Sequence, residues 1–378
     1  MEGDPMSAAP SQSLIALAAG GTGGHVFPAQ ALAEALIARG HRLALLTDSR
    51  GGRYGGALGE IEHHAINSAS PSTGGLIGKL SAILRLIAGT REARRLLRSL
   101  KPGAVVGFGG YASVPPLFAA TRLRIPTVIH EQNAVLGRAN RLLASRVNRI
   151  ATSFPATERL GAKAEQHVVC TGNPVRPAIA ALGSRTYEVP TDSSRFRLLI
   201  VGGSQGAQAL SRVVPEALAR MPDVTRARLS VVQQCRPEDL EAVRAAYRAA
   251  NIQAECDRFF DDMAGRLAAA HLVIARSGAS TVAELAAAGR PAILVPYPHA
   301  MDDHQSANAR ALERAGAAWL MPQASLTPDR LRSRLELLMA EPHDLAEAAQ
   351  AARRFAQPDA AGALATIVES LLRTGATP

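Results

Sequence analysis

Cysteine is nearly missing from this chain: Cys170, Cys235 and Cys256 are the three it has, and no two form a C-x-x-C pair. So few thiols, odd in number, fit a reducing compartment and exclude a disulfide framework or a cysteine-built zinc site. Aromatic residues make up 4% of the composition. With no recognisable nucleic-acid motif beside them, they are too few for base stacking, so no nucleic-acid partner is expected. No stretch approaches the roughly 20 apolar residues of a membrane-spanning helix. The apolar "SLIALAAGG" lacks the basic flank of a secretory signal, because residues 1–13 carry Glu2 and Asp4 and no Lys or Arg. It is expected to be a buried first strand behind a disordered tail, residues 1–13. Two nucleotide motifs are missing as well. "LAAGGTGGHVFPAQALAEALIARGH", residues 17–41, has no Gly-Lys-Ser/Thr for a P-loop. After Gly21 and Gly23, the third glycine place of a dinucleotide fingerprint is Val26.

What is present is bulk and asymmetry. At 378 residues the chain exceeds one ordinary core and is expected to make two domains. A hydrophobic share of 47% with 20% charged residues describes a globular protein. The net charge is +10, and residues 13–176 hold 20 Lys and Arg against 8 Asp and Glu. The rest, from Pro177 on, is balanced. One basic half points to a polyanionic partner or an anionic membrane surface.

Apolar β-branched runs alternate with helical patterns. "SLIALAAG", "RLALLTD", "AVVGFGG" and "PTVIHEQ" read as buried strands in the first half. "FRLLIVGGS", "RLSVVQQ", "HLVIARSG" and "PAILVPY" repeat the plan in the second. Such alternation means α/β architecture, with parallel sheets covered by helices on both faces. A glycine turn follows the first strand of each half, "AGGTGGHVFPAQAL" and "VGGSQGAQAL". Two Rossmann-like doubly wound domains facing a cleft are therefore expected, with ligands at the carboxyl ends of strands. Pro28 suits an early position of the first helix, which Gly40 is placed to end.

Polar clusters fall after the expected strands: His25 in the first turn, "HEQN" at residues 130–133, "GFGGYAS" with Gly109, Gly110 and Tyr111, and "GNPVR" ending at Arg176. In "ARSGASTVAELAAAG", Ser277, Gly278 and Ser280 open a helix whose N-terminus can hold phosphates. Arg276 adds a cation, and Glu284, one turn on, can accept from a ribose diol. Each has a plainer use: a structural histidine, a surface carboxylate, ordinary caps. The Asp pairs in "FFDDM" and "MDDHQ" invite a metal, but such pairs commonly cap helices.

Together, "GGTGGHVFPA", "GFGGYAS", "HEQNAVLGRANR", "GNPVR", "GGSQGA", "FFDDM" and "RSGASTVAELAAAGRPAILVPYPHAMDDHQSANA" resemble the signature segments of the MurG family. These bacterial glycosyltransferases move GlcNAc from UDP-GlcNAc to undecaprenyl-pyrophosphoryl-MurNAc-pentapeptide in peptidoglycan synthesis. The resemblance implies a GT-B fold. An N-terminal acceptor- and membrane-binding domain would span residues 14–176, and a C-terminal UDP-GlcNAc domain residues 177–354. A helix within about residues 355–378 would pack back on the first domain. For the donor it implies Arg276, Ser204, Gln205 and the Ser277, Gly278, Ala279, Ser280, Thr281 helix start at the diphosphate. Glu284 would hold the ribose, the backbone near Phe260 the uracil, and Gln305, or its neighbour His304, the GlcNAc hydroxyls. Asn133, Arg176 and Thr22, Gly23, Gly24 would close the site, while Gly21, Gly109, Gly110 and Tyr111 would meet the acceptor.

An α-linked donor and a β-(1→4) product require one inverting displacement, with a base for the acceptor hydroxyl and help for departing UDP. His25 is the first candidate base and Glu131 the second. No cofactor and no obligatory metal are expected, as is usual for GT-B enzymes. A close rival is another UDP-sugar GT-B enzyme, a glycolipid transferase or a UDP-GlcNAc 2-epimerase. The basic segment at residues 74–101 carries Leu76, Ile77, Leu80, Ile83 and Leu84 with Lys79 and Arg85. It is expected to dock on an anionic membrane, which with the lipid acceptor implies a peripheral enzyme on the cytoplasmic face of the bacterial inner membrane. A cell-wall synthesis complex is a further partner that the resemblance allows.

Overall fold

The computed structural model describes residues 13–20, 23–48, 56–68, 76–203 and 207–374. The chain divides into two compact units. The first comprises Met1–Gln132, Leu136–Pro174 and Asp359–Pro378, the second Asn133–Val135 and Val175–Pro358. Gly21, Thr22, Ser204, Gln205 and residues 1–12 lie outside the described residues, as do the side chains of Leu76, Ile77, Lys79 and Leu80.

Unit 1 is built on seven strands: β1 (Leu14–Ala18), β2 (Arg42–Thr47), β3 (Glu62–Ala65), β4 (Ala104–Gly107), β5 (Thr127–Glu131), β6 (Arg149–Thr152) and β7 (Val168–Cys170). They form one parallel sheet in the order β3-β2-β1-β4-β5-β6-β7. The central strands are aliphatic without polar alternation because both faces are covered. Ile15 and Leu17 join the core of the helix Gly23–Ala38 through Leu32 and Leu36, while Ala16 and Val105 join Leu97 and Leu117 on the other face. Unit 2 repeats the plan with β8 (Phe196–Val201), β9 (Leu229–Gln234), β10 (Gln253–Asp257), β11 (Leu272–Ala275), β12 (Ala292–Leu294) and β13 (Ala318–Leu320). Its parallel order is β10-β9-β8-β11-β12-β13.

Each sheet reverses its winding once, between β1 and β4 in unit 1 and between β8 and β11 in unit 2. Loops after the two strands at such a switch diverge and leave a crevice at the carboxyl edge, where ligands of open α/β sheets bind. Gly20 after β1, Gly109 and Gly110 after β4, Gly202 and Gly203 after β8 and Arg276–Gly278 after β11 all sit at these points.

The first helix corrects one local expectation. It begins at Gly23, so Pro28 stands inside it rather than at its start. Gly23 and Gly24 take up the first turn, and Pro28 removes one interior N–H donor. Its other end is as expected. Gly40 at φ 84° closes the helix, with its amide bonded to the Ile37 carbonyl and the His41 amide to that of Leu36, a Schellman arrangement.

The final helix, Ala360–Thr374, belongs to unit 1. Leu364, Ala365, Val368 and Leu371 recur at helical spacing and share the core of Leu32 and Leu36. Arg39 and His41 both reach Glu369, at 2.9 and 3.1 Å. The C-terminal helix thus packs on the first unit, as the resemblance implied.

The basic helix Leu76–Leu100 turns Ala82, Ala93 and Leu97 inward, and all three are buried. A Cβ on Gly89 would lie 1.9 Å from the Asn67 carbonyl oxygen, so backbone approaches backbone there. Ile83, Leu84 and Ile87 face out, at 48%, 58% and 44% exposure. No helix among the described residues is long and apolar enough to cross a membrane.

Candidate active site

In unit 1 the residues expected to meet the acceptor converge on one imidazole. Gly109 and Gly110, both at positive φ (87° and 69°), carry the chain round the end of β4. A Cβ on Gly109 would lie 3.3 Å from His25 Cε1, and one on Gly110 would lie 3.5 Å from His25 Cδ2. The ring therefore rests on bare backbone, brought there from the first turn of the helix Gly23–Ala38. Tyr111 follows at once, half-buried against the apolar layer that holds Leu117 and Leu136. His25 Nδ1 lies 3.1 Å from the side-chain oxygen of Gln132. Gln132 in turn donates through Nε2 to the Phe108 carbonyl at 3.0 Å and reaches His130 Nδ1 at 3.0 Å. His130 is fully buried, donates through Nε2 to the Gly172 carbonyl and is held neutral by burial, its pKa lowered to about 4.

Glu131, the second candidate base, is 2% exposed. Its Oε2 accepts from the Gly137 amide and from Asn140 Nδ2, both at 2.8 Å. The carboxylate thereby holds the start of the helix Arg138–Leu143.

In unit 2 the expected donor residues gather at the turn after β11. The helix Ala279–Ala288 opens behind Gly278 in extended backbone with no side-chain cap, so its first amides remain available at the positive end of the helix dipole. Ser277 is buried and donates to the Gln305 carbonyl at 2.8 Å. Ser280 has a buried hydroxyl with no protein partner, beside Thr281. Gln305 accepts at Oε1 from the Tyr297 amide, 2.9 Å, which keeps its Nε2 for donation. His304 instead donates to the Met301 carbonyl. The turn before it sets Asp302 and Asp303 at φ 55° and 54°. Arg276 is largely buried and spends its guanidinium on the carbonyls of Val295 and Pro296 and on Gln323, over the Tyr297 ring.

One turn into the helix, Glu284 Oε1 accepts from both Nε and Nη2 of Arg176, each at 2.9 Å. Burial pushes the Glu284 carboxyl above its usual pKa, and the Arg176 guanidinium pulls the other way. The Phe260 ring is buried beneath the Arg266 guanidinium, 3.9 Å from its centroid. Nearby Asp262 accepts from the Gly265 amide and starts the helix Met263–Ala269.

Two residues were not singled out in the sequence. Gln132 sits inside "HEQN", but a glutamine carries no signal of its own until its partners are seen. Asn308, fully buried, accepts from the Ala134 amide and donates to Asn133 Oδ1 and the Ser277 carbonyl. It ties the short segment Asn133–Val135 to the Ser277 turn within unit 2.

Comparison with known proteins gives this geometry its context. Residues 15–152 match the N-terminal domain of glycosyltransferase family 28, and residues 197–364 match its C-terminal domain. The chain is 58% identical, over 94% of its length and 91% of the relative, to a protein of Rhodospirillum rubrum. That relative is described as a UDP-N-acetylglucosamine–N-acetylmuramyl-(pentapeptide) pyrophosphoryl-undecaprenol N-acetylglucosamine transferase. A protein of Paramagnetospirillum magneticum with the same description is 56% identical, over 95% and 97% of the two chains. The crystal structure of Acinetobacter baumannii MurG superposes with a TM-score of 0.79 at 34% identity, covering 95% and 99% of the chains. A kitacinnamycin glycosyltransferase, 18% identical with a TM-score of 0.68 over 96% and 100%, shares the fold. With both domains matched and close relatives spanning nearly the whole chain, this protein belongs to glycosyltransferase family 28, among its MurG members.

Proposed function

We infer that this chain transfers GlcNAc from UDP-GlcNAc to the 4-hydroxyl of MurNAc in undecaprenyl-pyrophosphoryl-MurNAc-pentapeptide, the step from lipid I to lipid II. The observation that carries the reading is the Ser277–Glu284 turn and helix, seen beside relatives that carry this activity in their descriptions. An uncapped helix start offers backbone N–H groups to a diphosphate. Glu284, held by Arg176, presents a carboxylate one turn further on that can accept from a ribose diol.

The acceptor hydroxyl attacks the anomeric carbon, the bond from that carbon to the diphosphate oxygen breaks, and its electron pair leaves with UDP. The hydroxyl proton goes to His25. An imidazole is readily poised near neutral pH, and this one borders the β4 glycine turn at the carboxyl edge. Glu131 is the weaker candidate, because its carboxylate is buried and already holds Gly137 and Asn140. Charge developing on UDP is met by helix amides, so no metal is required in this account.

Ile83, Leu84 and Ile87, exposed along a helix that also exposes Arg85, Arg91, Arg94 and Arg95, form an amphipathic face suited to an anionic bilayer. The enzyme would thus work as a peripheral protein on the cytoplasmic side of the inner membrane, where it could join other cell-wall enzymes. The test is product analysis by NMR after incubation with UDP-GlcNAc, with and without a short-chain lipid I analogue. A β-(1→4) disaccharide lipid that forms only with acceptor supports the reading. Conversion of UDP-GlcNAc without acceptor would hand the chain to the epimerases.

A further inference from the structure

We propose that Gln132 is a positioning residue that fixes the tautomer of His25, placing the ring proton on Nδ1 and leaving the Nε2 lone pair as the one that takes the acceptor proton. The inference deepens the reading of His25 as base and rests on it for its catalytic meaning.

Donors and acceptors decide the tautomer. A carboxamide has one oxygen that only accepts and one NH2 that only donates. Gln132 Nε2 lies 3.0 Å from the Phe108 carbonyl oxygen and 3.1 Å from that of His130. Both of these only accept, so the NH2 must face them. The third neighbour agrees. His130 donates through Nε2 to the Gly172 carbonyl, so its Nδ1 is the accepting nitrogen, and it receives Gln132 Nε2 at 3.0 Å.

With the amide oriented, Oε1 is what remains for His25 Nδ1, 3.1 Å away. Oxygen can only accept, so Nδ1 carries the hydrogen. A neutral imidazole with hydrogen on Nδ1 has its lone pair on Nε2. The polar chain thus runs one way, from the His25 N–H to Gln132 and from Gln132 through His130 to the Gly172 carbonyl.

Burial makes the arrangement stiff. Gln132 is 2% exposed and His130 fully buried, so neither amide nor ring can turn over without stranding donors and acceptors inside the unit. The glycine turn holds the other face of the base, with Gly110 beside the Cδ2 and Nε2 edge of the ring. When Nε2 takes the acceptor proton, the other hydrogen stays on Nδ1, still donated to Gln132 Oε1, and the imidazolium forms with that partner already in place. No proton passes along the chain, and Gln132 touches neither sugar.

The experiment uses the full chain labelled with 15N-histidine. The His25 resonances are assigned by their loss in His25→Ala, and long-range 1H–15N correlations read its tautomer near neutral pH. The expected result is the Nδ1–H form in the wild type. In Gln132→Met, which has no amide, the Nδ1–H preference should be lost and kcat should fall by about tenfold or more, within the ~10²–10⁴ that a positioned base supplies. KM for UDP-GlcNAc should stay within about twofold, since donor groups belong to unit 2.

An Nε2–H ring in the wild type overturns the inference, whether or not any variant folds. So does Gln132→Met with tautomer and kcat unchanged. Failure of the base reading looks different: the Nδ1–H tautomer is found, yet His25→Ala turns over like the wild type.

Discussion

The ring of His25 and the backbone of Gly109 are packed so closely that a methyl group on Gly109 would sit 3.3 Å from Cε1. Gly109 also stands at φ 87°, a conformation that an L side chain adopts at a cost of roughly 1–2 kcal/mol. Gly109→Ala should therefore displace the imidazole as well as strain the turn. We expect kcat to fall by tens-fold, because a displacement of about 1 Å at a reacting group costs up to ~10²-fold. UDP binding, measured by calorimetry, should hardly change. Unaltered kcat would detach the glycine turn from the reaction.

Glu284 is a carboxylate whose ionised form is buried at a cost. Burial raises its pKa above the usual carboxyl value, so the folded chain holds its proton more tightly than the unfolded chain. The stability tied to that proton is present below the unfolded pKa and lost as pH rises through the folded one. Above the folded pKa the cost is in force. Glu284→Gln, which still accepts from Arg176, should leave the protein as stable as wild type or more so at pH 7, by urea unfolding. The advantage should vanish near pH 4. The same variant should raise KM for UDP-GlcNAc by about tenfold, the loss of one charge-assisted hydrogen bond.

Acid should unfold this protein through its buried histidines. Burial lowers the pKa of His130 and of His271 to about 4, whereas the unfolded chain protonates them near 6.5. The unfolded state therefore binds more protons between pH 6.5 and 4, and stability falls with pH across that window. Below it, each site has cost on the order of 3 kcal/mol. His271→Asn keeps an acceptor for the Arg197 amide that Nδ1 now receives. Its unfolding free energy should fall less steeply with acid, by nearly one proton. An identical slope would show that His271 does not titrate this way.

The outward face of the helix Leu76–Leu100 should be a membrane contact. Replacing Ile83, Leu84 and Ile87 by Ser removes three exposed apolar side chains and should leave the fold intact. Binding to anionic vesicles, followed by flotation, should weaken at least about tenfold, a change of ~1.4 kcal/mol. Transfer to a water-soluble acceptor should be unaffected. Vesicle binding equal to wild type would place the contact elsewhere on the basic half.

The eight strands read from the sequence are those with aliphatic runs, and all eight are flanked by strands on both sides. The five that were not read are β3, β6, β7, β10 and β13. Four of them are sheet edges, where neighbours cover less of the strand and polar residues such as those of "EHHA" and "QAECD" are tolerated. In the site, glycine turns and the Ser277–Glu284 helix were legible because loop geometry and anion binding demand particular residues at particular spacings. The hydrogen-bond partners were not. That Gln132 orients His25, or that Asn308 binds Asn133 and Ser277, depends on distances between segments far apart in the chain. The apolar residues of the basic helix were legible as a stripe, but the burial of Ala82, Ala93 and Leu97 and the approach of Gly89 to Asn67 show which face turns inward.

The central claim is metal-independent transfer of GlcNAc with His25 as base. It is tested most directly by labelled UDP-GlcNAc and a short-chain lipid I analogue in EDTA, comparing wild type with His25→Ala. The account predicts labelled disaccharide lipid from the wild type and a loss of ~10²-fold or more in kcat for the variant, with UDP binding retained. Near-normal turnover by His25→Ala would contradict it and move the proton to Glu131.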